Sequence, residues 1–143
     1  MKKLILLATF ILMAGTIFGQ TLQKGNVLGL HVITVNLDPD VTYNQWKNAA
    51  LTVYIPAFNK EFQDDITMYY AEVNRGNDEH GISLIYFFKS LEVRDKYFTK
   101  EGNGTELWNT KWEKIMQSIP AEENSKLGTS DWTGKHYNDW IIQ

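Results

Sequence analysis

The sequence of 143 residues contains no cysteine, three prolines and three histidines. Without cysteine there is no disulfide framework, thiolate zinc site, iron–sulfur cluster or cysteine nucleophile. Concentrated charge is also missing. The 14 Lys and Arg are set against 17 Asp and Glu, and acids interrupt the basic stretches. Binding to phosphate backbones needs clustered Lys and Arg, so no nucleic-acid partner is expected. The longest apolar run, Leu4 to Met13, falls short of the roughly 20 residues of a membrane span, so none is expected. The GxSxG, GxxxxGK[ST] and GxGxxG templates are absent, and Gly102-Asn-Gly104 is an isolated loop pair. Asp64 with Asp65 and Glu122 with Glu123 are adjacent, so their side chains diverge on any regular element and make no paired acid/base site.

What is present describes one folded domain, with 43% hydrophobic and 13% aromatic residues. Lys2 and Lys3 precede the apolar run, and Ala14, Gly15 and Thr16 follow it, the layout of a signal peptide. Cleavage after Gly19 leaves residues 20–143 as a single domain with a secreted or periplasmic destination. No Cys follows the apolar run, so no lipid anchor is expected.

Val27 to Leu37 is rich in β-branched residues and closed by Asp38-Pro39-Asp40, which predicts a strand. Thr42 and Gln45 have capping-box spacing ahead of Trp46, Ala50, Val53 and Ala57, predicting a helix from Tyr43 to Phe62. Pro56 lacks an amide donor, so a kink or break is expected near Tyr54. Ile66–Asn74 and Ile82–Phe88 read as a hairpin around a polar turn. Ser90 caps a short helix to about Phe98, and Thr105 opens another carrying the stripe Trp108, Trp112, Ile115 and Ile119. His136 to Gln143 closes the chain as a strand. The order β-α-β-β-α-β, with its second helical region split, predicts an α+β ferredoxin-like sandwich: a four-stranded antiparallel sheet with helices on one face.

The three histidines lie on three separate elements without ligand spacing, so no metal site and no cofactor are expected. His31 sits in an apolar strand, and alternation groups it with Gly29, Ile33 and Val35. Burial there lowers its pKa and leaves a neutral imidazole, a candidate catalytic base towards an acidic phenol or enol. On this reading His31→Ala leaves folding largely intact and weakens ligand binding or turnover. Tyr70 and Glu72 on the second strand, with Tyr86 and Phe88 on the third, are the candidate contacts to a flat apolar ligand. Trp108, Trp112 and Ile115 read as helix packing.

This element order, with a serine-capped helix directly after the third strand (Lys89-Ser90-Leu91-Glu92), resembles the dimeric α+β barrel superfamily, and small secreted bacterial members in particular. The resemblance spans Asn26 to Gln143 and implies a homodimer whose open sheet faces enclose a pocket. Haem-degrading members use a strand-one Asn, a Trp near the end of strand three and a helix-two His. The corresponding places here are Ile33, Phe88 and a histidine-free Ser90–Phe98 segment. Three functions follow: a binder of a small apolar or aromatic ligand in a sheet-face cavity, a cofactor-independent monooxygenase-like enzyme using His31, or a structural or protein-interaction module.

Overall fold

The computed structural model describes residues 21–72, 74, 75, 82–131 and 137–143. The proposed signal peptide, the polar turn with His80, and His136 lie outside the described residues. The chain runs through β1 (Val27–Asn36), α1 (Tyr43–Ala49), a π-helical turn (Ala50–Tyr54), α2 (Ile55–Phe62), β2 (Ile66–Glu72) and β3 (Ile82–Phe88). It continues through α3 (Leu91–Tyr97), α4 (Glu106–Ser118), α5 (Ala121–Asn124), β4 (Thr129–Asp131) and β5 (Tyr137–Ile141).

The sheet is antiparallel throughout, in the order β2-β3-β1 followed by a last column that β4 and β5 share. β5 pairs with Val27–His31, whereas β4 pairs with Thr34–Asn36. The β4 segment, Thr129-Ser130-Asp131, has no apolar alternation, so its pattern gives no strand signal. It extends β1's far edge beyond the reach of β5.

Register fixes the two faces of the sheet. Val27, Gly29, His31 and Ile33 stand opposite Phe88, Tyr86, Leu84 and Ile82, which in turn stand opposite Ile66, Met68, Tyr70 and Glu72. This face is covered by helices: Phe58, Phe62, Tyr97 and Ile115 join Val27, Met68, Tyr86 and Phe88 in one core. Phe58 stacks on Phe62 at 4.3 Å and meets Trp108 at 5.8 Å, so Trp108 of the α4 stripe is packing, as its spacing suggests. The other face carries Leu28, Leu30, Val32, Ile85, Phe87, Tyr69 and Trp140.

The helix caps follow the sequence. Thr42 and Gln45 form a complete capping box, and the Ser90 and Thr105 hydroxyls accept from the Val93 and Trp108 amides. The break expected ahead of Pro56 takes the form of the π-helical turn, in which the Ile55 amide reaches back five residues to the Ala50 carbonyl. The wider turn accommodates a residue that cannot donate, and the helical path continues into α2. Asn59 on α2 completes the edge strand. Its amide donates to the Met68 carbonyl at 3.1 Å, and its oxygen accepts from the Met68 amide at 2.7 Å. The middle of β2 is thereby closed to another strand.

Candidate functional site

Because the π-helical turn adds a residue to one helical turn, neighbouring positions that would otherwise diverge both point inward. Ala49 and Ala50 are buried, and so are Tyr54 and Ile55. Ala50 is too small to fill the space between helix and sheet. A half-open pocket of about 140 Å³ remains there. Ile33 of β1 and Leu84 of β3 form its sheet side, and Trp46, Ala50 and Tyr54 form its helical side. Trp112 and Met116 of α4 close one flank, and Leu127 with Gly128 form the rim.

Two contacts hold the rim. Trp46 Nε1 donates to the Leu127 carbonyl at 3.1 Å. Gly128 has φ +60°, and a Cβ there would lie 2.4 Å from the Asn36 carbonyl oxygen, so only glycine fits. The edge of Tyr54 meets Trp112 at 5.6 Å. The hydroxyls of Tyr54 and Tyr86 are buried without a hydrogen-bond partner among the described residues. Burial pushes both phenols well above their ordinary pKa, so both are neutral throughout the physiological range.

The candidate residues named from the sequence all lie on the helix-covered face, in three groups. Tyr86 and Phe88 are fully buried, with Tyr86 packed on Phe58 at 5.6 Å. Tyr70 and Glu72 belong to an exposed network at the pocket's outer side. Glu72 Oε1 accepts from Lys47 Nζ at 2.5 Å, Tyr70 Oη at 2.8 Å and Tyr43 Oη at 2.9 Å. Lys47, then Tyr70 and Tyr43, lower the Glu72 pKa to about 2. Tyr43 and Tyr70 flank Trp46 at 5.7 and 6.2 Å, which links this network to the pocket wall.

His31 stands apart. Its ring meets Tyr86 edge-on at 4.8 Å, and it is not among the residues that wall the pocket. Burial, opposed by Asp139 and assisted by Arg94, lowers its pKa to about 4, the direction the apolar strand leads one to expect. Arg94 is 4% exposed. Its Nε donates to Asp139 Oδ2 at 2.6 Å, and its Nη1 donates to the Phe98 and Thr99 carbonyls at 3.1 and 2.6 Å. The pair ties the loop after α3 to β5. Gly29 leaves room for Asp139, whose Oδ1 would lie 3.2 Å from a Cβ at that position.

Among the described residues no group of three or more His, Asp or Glu could hold a metal ion, and no helix is long and apolar enough to cross a membrane. The described residues around the pocket offer shape and apolar contact and include no nucleophilic Ser or Thr and no His, Asp, Glu or Lys. Sequence reasoning did not single out Tyr54, Leu84, Met116 or Leu127. The available signal was the pairing of Ala49-Ala50 and Tyr54-Ile55 just ahead of Pro56, which breaks the 3.6-residue period. No family profile, curated protein or solved structure matches this chain.

Proposed function

We propose that this chain is an exported ligand-binding protein of ferredoxin-like architecture that holds a small apolar compound in the pocket between the sheet and the π-helical turn. The observation that carries this reading is the pocket itself, an unfilled apolar space lined by three aromatic side chains. Close packing is the rule in protein interiors, so a void lined this way is a feature of the site. The antiparallel order with β1 and β3 central supports the ferredoxin-like assignment. The position of His31 outside the pocket walls favours binding over catalysis.

Trp46 and Trp112 line the pocket, so occupancy changes tryptophan emission. Native mass spectrometry of protein recovered from its own host, followed by emission titration with the extracted small molecules, tests the reading. A retained compound that shifts emission supports it. Protein that carries nothing, and whose emission no apolar compound alters up to its solubility limit, refutes it. N-terminal sequencing of the same material begins near Gln20 if the chain is exported and processed.

A second reading concerns the other face of the sheet. On β1, β2, β3 and β5 the residues of that face include no charged side chain, and Tyr69 and Trp140 are 44% and 59% exposed. Leaving such a face in water costs about 25 cal/mol per Å² of apolar surface. We infer that a second copy of the chain covers it in a two-fold dimer. Light scattering at micromolar concentration reads the mass directly, and a monomer refutes the dimer without touching the pocket.

A further inference from the structure

On the ligand-binding reading above, we propose that the pocket selects an uncharged compound of single-ring size and rejects both charged and multi-ring analogues. Volume sets the size limit. The space of about 140 Å³ is close to that of an apolar cavity of about 150 Å³ that takes up benzene. Trp46, Tyr54 and Trp112 are among the pocket's walls, and against aromatic walls a flat guest gains offset or edge-on contact beyond its buried area.

Charge is decided by what the walls lack. Among the described residues no carboxylate, lysine, arginine or histidine borders the pocket, and burial keeps the Tyr54 phenol neutral. The lysines next in the chain to wall residues already have partners: Lys47 pairs with Glu72 at 2.5 Å, Lys111 with Glu61 at 3.3 Å and Lys126 with Glu123 at 2.7 Å. The rim carbonyl of Leu127 already accepts from Trp46 Nε1. An ion entering here exchanges its hydration for apolar contacts without a counter-charge, which disfavours it strongly against a neutral compound of the same shape.

The test uses three fluorinated probes: fluorobenzene, 4-fluorobenzoate and 1-fluoronaphthalene. Binding is followed by ¹⁹F line broadening, and the location by the ε-methyl signal of Met116, which borders the pocket. Met68 is fully buried on β2 outside it and serves as the internal reference. The expected result is that fluorobenzene binds and moves the Met116 methyl but not Met68, with the other two probes at least fivefold weaker. If 4-fluorobenzoate comes within fivefold of fluorobenzene, the exclusion of charge is overturned. If 1-fluoronaphthalene does so, the size limit is overturned. Either result leaves the ligand-binding reading standing. If no probe binds, or binding leaves the Met116 methyl unmoved, that reading itself fails.

Discussion

His31 makes the stability of the fold depend on pH in a defined window. Its pKa is about 4 in the folded chain against 6.5 for the unperturbed side chain, with burial the first cause. A depressed histidine pKa means that the unfolded chain takes up the proton first. Stability is therefore full above pH 6.5, falls as the pH drops from 6.5 towards 4, and levels off below. At about 1.36 kcal/mol per pH unit, the loss from His31 alone is about 2 kcal/mol at pH 5 and approaches about 3 kcal/mol near pH 4. Glu72, with its pKa lowered to about 2, acts only below the ordinary carboxylate range and leaves the interval from pH 8 to 5 clear. Urea unfolding of the wild type and of His31→Gln at pH 8, 6.5 and 5 separates this contribution from every other titrating group, since the two proteins differ at one position. The wild type is expected to lose about 2 kcal/mol more than His31→Gln between pH 8 and 5. Equal slopes for the two proteins refute the linkage.

Other perturbations have equally definite outcomes. Asn59→Leu removes both bonds to Met68 and reopens the middle of the β2 edge; it should cost about 1–3 kcal/mol in urea unfolding and raise turbidity on concentration. An unchanged midpoint with no turbidity contradicts the capping role. Arg94→Leu removes the buried ion pair with Asp139 and frees two carbonyls, for a loss of about 3–5 kcal/mol, part of which Asp139→Asn should restore in the double variant. Additive single losses would show that the two side chains do not act as a pair. Gln63 closes α2 at φ 36°, a conformation that favours glycine, so Gln63→Gly should raise the thermal midpoint. A lowered midpoint would place the cost elsewhere. Tyr54→Phe deletes a buried hydroxyl without a hydrogen-bond partner among the described residues and should be neutral or stabilising, by at most about 1 kcal/mol. A clear loss of stability would show that this hydroxyl has a partner in solution.

Much of the secondary structure is legible because local chemistry decides it. Thr42, Ser90 and Thr105 each end up as helix caps because a short side-chain oxygen can satisfy an amide that the helix leaves free. β3 occupies Ile82–Phe88 because seven consecutive β-favouring or small residues are bounded by turn chemistry and a serine cap. β4 is different. Thr129, Ser130 and Asp131 have no preference strong enough to announce a strand; pairing arises because β1 extends beyond the end of β5. Tertiary position overrides propensity there.

The candidate site was legible only in parity. Alternation correctly groups His31 with Gly29 and Ile33, and Tyr70 with Glu72, because successive strand side chains must point to opposite faces. It carries no information about which face the helices cover, or how well they fill it along its length. At one end of the sheet Phe58 and Phe62 pack against Tyr86, Phe88 and Trp108, and the aromatic volume closes the space. At the other end the facing residues are Ala50 over Ile33 and Leu84, beside a turn widened ahead of Pro56, and space is left. Tyr86 and Phe88 thus serve as filling, and the opening lies at Ala50, a residue whose smallness is invisible to a search for reactive groups. A site made by missing volume is written in the sequence as a small residue at an inward position, and it becomes readable once the π-helical turn shows that position to be inward.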